Sequence, residues 1–294
     1  MPFNYPAFKK VIFIFVIVKI NQMKKILSAV CILATGITFA QSPKSISLKK
    51  GQEININSTA SSNTDIGMGM TMTSSTTVQN KLIVIGEDAT NYILTNTTTK
   101  MKVDMEAMGQ SQHYDSDKPE DKDSEVGKNV ADQLNVSDTF MLNKQTGLAT
   151  ATKANSEEAS GNAASLMGEG GNKKQGTEDA FLIIPSNKKT GDSWETSTTV
   201  KGITSKKVYT IQSIDKKIAV ITTKETMEGT SEQEMQGMTA NVTTNVKSDV
   251  EITTDISTGL VSNRKITADV NDTIEFNGQS NPISAKSTTT ITYK

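Results

Sequence analysis

The sequence predicts an all-β, mainly antiparallel protein built from two loosely repeated β-meanders. Three observations carry this. Apolar and polar residues alternate with a period of two, as at Met101, Val103 and Met105 against Lys102, Asp104 and Glu106, the signature of a half-buried strand. Turn signals such as Lys50-Gly51 and Thr146-Gly147 separate short apolar runs. The polar excess is mostly Thr, Ser and Asn, in runs such as Thr97-Thr98-Thr99 and Thr288-Thr289-Thr290, and threonine favours strands. Long meanders must hide their edges, so the chain is expected to close into a barrel, a half-barrel or a sandwich, with a short helix and a flexible central insertion.

The elements follow in order. Ile46-Ser47-Leu48 and Ile54-Asn55-Ile56 read as strands around a turn at Lys50-Gly51-Gln52. Ser58 to Asp65 is polar and reads as a loop. Met68, Met70 and Met72 alternate towards Val78. Leu82–Ile85, Tyr92–Thr95 and Met101–Met105 read as three strands, and an acidic loop ends the third. Val126, Val130 and Leu134 recur at helical spacing within 124–136. Residues 139–152 read as a hairpin about Lys144-Gln145-Thr146-Gly147. Residues 153–177 are small, polar and Gly-rich, the composition of a flexible insertion.

The second half mirrors the first. Lys188-Lys189-Thr190-Gly191-Asp192 matches Lys49-Lys50-Gly51-Gln52, and Thr258-Gly259-Leu260 matches Thr146-Gly147-Leu148. Val208–Ile214 and Ile218–Thr222 match the strands at Leu82 and Tyr92; Glu234–Met238 matches Glu106–Gln110. The expected organisation is a first meander over 41–152, the insertion, and a second meander over 178–294, together or as separate units.

Residues 23–40 read as a cleaved signal peptide. Lys24-Lys25 supplies the positive region, Ile26–Gly36 the apolar core, and Thr38-Phe39-Ala40 the small-residue site before Gln41. The apolar run is shorter than the ~20 residues of a membrane span. Residues 1–22 precede this signal and read as an extension from an upstream start codon, the rival being an anchor over Val11–Val18. Cys31 is the only cysteine, and Val30 stands where a lipoprotein signal has Gly or Ala. Cleavage after Ala40 leaves a chain with no disulfide and no thiol chemistry. The expected location is the periplasm, the outer membrane or the cell exterior.

Three segments carry a resemblance. They are Tyr114-Asp115-Ser116-Asp117-Lys118-Pro119-Glu120-Asp121 after Met-rich strands, the turn Gly191-Asp192-Ser193-Trp194, and the cleavage context Phe39-Ala40-Gln41. In these the chain resembles a family of exported, functionally uncharacterised proteins typical of Bacteroidota envelopes. The resemblance covers most of 45–294. It implies export and a domain of unknown function, and it transfers no catalytic residue.

Little chemistry is available. A net charge of -1 recruits neither nucleic acid nor an anionic membrane. His113 is the single histidine, with no serine motif around it. Asp115, Asp117, Glu120 and Asp121 offer oxygens for a hard cation, although Lys118 and Lys122 interrupt them and Asp121 stands where a calcium loop has glycine. Methionine thioethers suit Cu(I), but alternate spacing puts them on one strand face, where an apolar wall needs them. No cofactor motif is present. The expectation is a non-enzymatic envelope protein holding an apolar or amphipathic ligand, lipid included, against Met68, Met70, Met72, Met101, Met105 and Trp194. The alternative is a structural or protein-interaction module with no small ligand.

Overall fold

The computed structural model describes residues 45–294 apart from 68, 131–133, 152–176, 178, 201, 236–237 and 277. The signal region, Met68 and nearly all of the Gly-rich insertion therefore lie outside the described residues. Twelve strands run in chain order: β1 Glu53–Asp65, β2 Thr71–Glu87, β3 Asn91–Ala107, β4 Gln110–Asp115, β5 Ser137–Asn143, β6 Ala149–Ala151, β7 Ser193–Val200, β8 Ile203–Asp215, β9 Ile218–Met235, β10 Met238–Asp255, β11 Val261–Phe276 and β12 Gln279–Tyr293. A 3-10 turn (Pro119–Asp123) and a short helix, α1 (Glu125–Val130), complete the set. No helix among the described residues is long and apolar enough to cross a membrane.

All twelve strands join one antiparallel sheet, in the order β6-β5-β3-β2-β1-β12-β11-β10-β9-β8-β7, with β4 on the far end of β3. The edges β6 and β7 do not pair with each other, so the sheet is not a closed barrel. It is nevertheless strongly curled. The β5–β6 and β10–β11 turns are separated by four intervening strands, which in a flat sheet would hold them roughly 24 Å apart at ~4.8 Å per spacing. Yet Ile46 reaches both: a Cβ added at Gly147 would lie 3.4 Å from Ile46 Cδ1, and one at Gly259 would lie 3.3 Å from Ile46 Cγ1.

Three sequence expectations are corrected. Ile46-Ser47-Leu48 is not a strand; Ile46 and Leu48 are buried in the main core, which gives an irregular segment the alternation of a strand. Residues 58–65 are strand, not loop. Their inward positions, Ser58, Ala60, Ser62 and Thr64, are too small and polar to show an apolar alternation. The runs at Tyr92 and Met101 are one strand, β3, joined through the Thr97–Thr99 segment. A register irregularity opposite Gln79 and Asn80 shifts the inward positions from even to odd numbers there, which hides the continuity.

The duplication is visible in hydrogen bonds. Before β1, Gly51 N–H donates to Val84 O (2.8 Å) and Val84 N–H to Gln52 O (3.0 Å); before β7, Gly191 N–H donates to Ile211 O (2.8 Å) and Ile211 N–H to Asp192 O (3.0 Å). Both glycines are left-handed, at φ 81 and 89, a conformation open to glycine without strain. The β2–β3 pair carries an irregularity between Val84 and Gly86, and β8–β9 carries one between Ile211 and Ser213. The turns Asn143–Leu148 and Asp255–Leu260 also match. In each, the Asn or Asp side chain accepts from the amide two residues on (3.0 and 2.7 Å), and the Thr hydroxyl accepts from the leucine amide (3.3 and 3.2 Å).

The partner of β3 in repeat one is interrupted where the partner of β9 in repeat two is continuous. In the second repeat β10 pairs with β9 along its whole length. In the first, β4 pairs with Lys102–Ala107 of β3 and β5 with Asn91–Thr97, and the described residues of 116–136 leave the sheet between them. This excursion carries the acidic segment and α1. Glycine is needed at its centre, since a Cβ at Gly127 would stand 2.2 Å from Asp121 O. Ser124 Oγ accepts the Gly127 amide at 2.9 Å and opens the helix.

Asp255 makes one repeat acid-sensitive where its counterpart Asn143 cannot be. Its hydrogen bonds with the Ser257 hydroxyl and amide hold its pKa below the ordinary 3.8. A depressed folded-state pKa contributes stability above the unfolded value, and that contribution is lost as pH falls through the folded value. Asp255→Asn is therefore expected to be less stable than the parent at pH 7, with the gap in melting temperature narrowing as pH falls through and below the ordinary carboxylate range. A gap that stays constant across that range would refute the assignment.

Candidate functional site

The inner face of the curled sheet has three zones. At one end of the strands lies the main core, including Ile54, Ile56, Leu82, Val84, Leu94, Leu142, Ile211, Ile221 and Ile252. It is filled from within by two segments that carry no regular strand: 46–48 and 180–184. Ile46 N–H donates to Lys144 O (2.7 Å), and Ser47 N–H to Thr258 O (3.1 Å). The Tyr92 hydroxyl accepts the Leu48 amide (3.2 Å). At the opposite end are two smaller cores. One joins Met72, Val78, Met101, Val103, Met105 and Tyr114 under Val126 and Val130 of the excursion; the other joins Ala240, Val242, Ile274 and Ile283.

Met101, Val103 and Met105 are 3%, 0% and 8% exposed, while Lys102, Asp104 and Glu106 face solvent. The alternation therefore does turn the thioethers inward. Met72 joins them. Met70 is half-buried in the turn after β1, where its carbonyl accepts the Ile66 amide (3.0 Å). Trp194 is not brought to these methionines. It lies in the second repeat, stacked on Tyr209 with centroids 4.8 Å apart and planes at 7°, against the main core.

The acidic segment folds back on itself. Asp121 Oδ2 accepts the Asp115 amide (2.9 Å), Asp115 Oδ1 accepts the Asp117 amide (3.0 Å), and Lys100 pairs with Asp117 at 2.7 Å. Glu120 is exposed. His113 Nδ1 lies 2.6 Å from Asp104 Oδ1, and Nε2 lies 3.3 Å from Asp121 Oδ2. Among the described residues no group of three or more His, Cys, Asp or Glu is placed to hold a metal.

Between the cores lies a polar zone that sequence reasoning missed. Arg264 of β11, only 7% exposed, pairs through Nη1 with Asp179 (3.1 Å) and through Nη2 with Glu225 of β9 (3.2 Å). Lys207 of β8 shares the same Glu225 oxygen at 3.2 Å. Burial opposes the charge on Arg264 and Lys207, but the facing carboxylates Asp179 and Glu225 outweigh it and hold both pKa values above the usual. Burial pushes the hydroxyls of Tyr209 and Tyr293 upward, so both stay protonated. The signal for this cluster was in the register. Arg264 stands in step with Ile266 and Ala268, and Glu225 with Ile221 and Thr223, where strand alternation calls for inward side chains.

Residues 141–261, from β5 into the start of β11, match a family of unknown function, DUF6263. No curated protein matches the chain. Among solved structures, lipovitellin is similar at a TM-score of 0.49 and 10% identity over 84% of this chain; the chain spans only 25% of that one. An outer membrane channel from Pseudomonas putida F1 is similar at 0.26 and 8% identity, over 88% of this chain and 100% of the channel. Pseudomonas aeruginosa OpdQ gives 0.24 and 6%, over 84% and 99%. At such TM-scores these likenesses carry nothing to this chain's function.

Proposed function

We propose that this is an exported, non-enzymatic protein of the cell envelope that holds an apolar or amphipathic ligand against the inner face of its curled sheet. One observation carries the reading. That face combines aliphatic and thioether side chains with buried hydrogen-bonding atoms that have no partner: Thr76 Oγ1, Asn80 Oδ1, Thr223 Oγ1, Arg264 Nε and Tyr293 Oη. The thioethers on that face, Met72, Met101 and Met105, are the side chains that adapt to an irregular apolar occupant. Export rests on residues 23–40.

A second reading keeps one observation of its own. Strand β7 pairs with β8 on one side only, and its residues Thr196 to Thr199 are exposed. An open edge of this kind adds a strand from another chain, which suits an interaction module without a small ligand. Native mass spectrometry of the protein purified from its own envelope separates the two. The expected result is a bound small-molecule mass that disappears after organic extraction. A bare polypeptide mass, or a stoichiometric protein partner alone, would overturn the ligand reading.

A further inference from the structure

The two edges of the sheet are protected unequally. β6 is three residues long, Ala149–Ala151, and so short an edge strand offers little to pair with. β7 is eight residues long, Ser193–Val200. It carries neither proline nor lysine and pairs with β8 in unbroken register, so it lacks the usual devices that blunt an edge. Its one charge, Glu195, is held by Lys206 of β8 at 3.0 Å. The Ile211 amide donates to Asp192 O (3.0 Å), so Trp194, Thr196 and Thr198 turn their backbone groups toward β8 and the alternate residues turn theirs outward. Lys188 Nζ donates to Ser193 O at 2.8 Å and takes the first outward carbonyl. Glu195, Ser197 and Thr199 follow, each with an N–H and a C=O facing away from the sheet.

We infer that this edge pairs with the same edge of a second copy of the chain, antiparallel about a two-fold axis at Ser197. The inference rests on the interaction reading above and names its partner. The residues select the register. An axis at Ser197 sets Ser197 against its own copy, Glu195 against Thr199 and Thr196 against Thr198. The outward N–H and C=O groups then meet in reciprocal pairs, and no like charges meet. An axis one residue earlier would need Ser193, whose carbonyl Lys188 already takes. An axis at Glu195 would set two carboxylates face to face, which opposes pairing. The side chains continue the chemistry of the sheet. Hydroxyls already bond across strands at Ser193–Thr210 (2.8 Å), Thr199–Thr204 (3.0 Å) and Thr230–Thr243 (3.0 Å), and the seam adds further Ser and Thr rungs of that kind. Pairing β7 with β6 would offer only three residues and would run on from copy to copy, whereas the β7 seam closes at two. The seam is short, so the dimer belongs to the weak, concentration-dependent class that buries less than ~1,200 Å².

The test uses the full chain carrying Cys31→Ser, which removes its only cysteine. Sedimentation velocity is expected to show a monomer–dimer equilibrium with a dissociation constant of about 1–100 µM. Ser197→Glu sets like charges opposite each other at the axis and is expected to weaken the dimer at least about fivefold. Within one copy the new carboxylate faces Lys206 of β8, so the melting temperature of the monomer should not fall. Ser197→Cys is expected to give a covalent dimer under mild oxidation, since directly paired Cα atoms stand about 5.5 Å apart. Glu195→Cys is not, because its two copies would lie four residues, or roughly 13 Å, apart. A dimer that Ser197→Glu leaves intact, or equal crosslinking by the two cysteines, would overturn the pairing. A monomer at every concentration up to about 200 µM, with the β7 amides protected from hydrogen exchange by a co-purifying protein, would sink the second copy and leave the interaction reading standing. A monomer whose β7 amides exchange freely after purification from its own envelope would overturn both.

Discussion

Ile46→Ala is expected to cost about 3 kcal/mol of unfolding free energy, within the usual range for truncating a buried isoleucine. The position is worth more than its volume. Ile46 is 1% exposed and touches the two equivalent turns of the two repeats, at Gly147 and Gly259. Its amide and that of Ser47 bond to Lys144 O of one turn and Thr258 O of the other. Along the sheet, by contrast, the repeats meet through β12 on β1 and β11. Removing the side chain leaves that seam and loosens the interior tie. Two readouts follow. Urea unfolding should shift to lower concentration, and Trp194 fluorescence, which reports the second repeat, should separate from far-UV circular dichroism, which reports all strands. Ile85→Ala, at a position 45% exposed, serves as the control and should change stability by less than about 0.5 kcal/mol. Coincident transitions with a loss below about 1 kcal/mol would show that the two repeats are held by the β12 seam alone.

What the sequence discloses and what it conceals divide along one physical line. Where inward residues are large and apolar, alternation shows. Leu82 and Val84, or Met101, Val103 and Met105, announce both a strand and its buried face. Turns show too, because Gly51, Gly147, Gly191 and Gly259 adopt left-handed backbone that few other residues tolerate. Those glycines made the duplication legible. Where inward residues are small and polar, the signal vanishes. Ser58, Ala60, Ser62 and Thr64 form half of a paired strand and look like loop. The same gap hides the buried polar residues of the interior. Thr76, Asn80 and Thr223 are ordinary strand-surface residues by type, and only the register of partners many residues away puts them inside. The choice among barrel, half-barrel and sandwich was illegible for a related reason. Closure depends on whether β6 and β7 meet, which no local pattern encodes. Nor could the sequence assemble Asp179, Lys207, Glu225 and Arg264: Lys207 and Glu225 meet only through the register of β8 on β9, and Arg264 and Asp179 come from elements far along the chain.

Arg264→Met should be the most damaging single change in that cluster, at about 3–5 kcal/mol, the range for removing one partner from a buried ion pair. The guanidinium is nearly sealed, and it is the ionic partner of Asp179 (3.1 Å) as well as one of two for Glu225. Without it Glu225 keeps Lys207, but half-buried Asp179 loses its cation. The loss should therefore be asymmetric. Adding Asp179→Asn to Arg264→Met should recover roughly half or more of the stability, because it removes the stranded charge. Adding Glu225→Gln instead should recover little, since it strands Lys207 in turn. High salt should rescue the single variant poorly, as ions screen exposed pairs far better than enclosed ones. Urea unfolding at neutral pH of the single and double variants measures all of this. Equal recovery by the two second changes would mean that Arg264 serves both carboxylates alike and that Lys207 is a bystander. A loss below about 1 kcal/mol for Arg264→Met would mean that water already reaches the cluster.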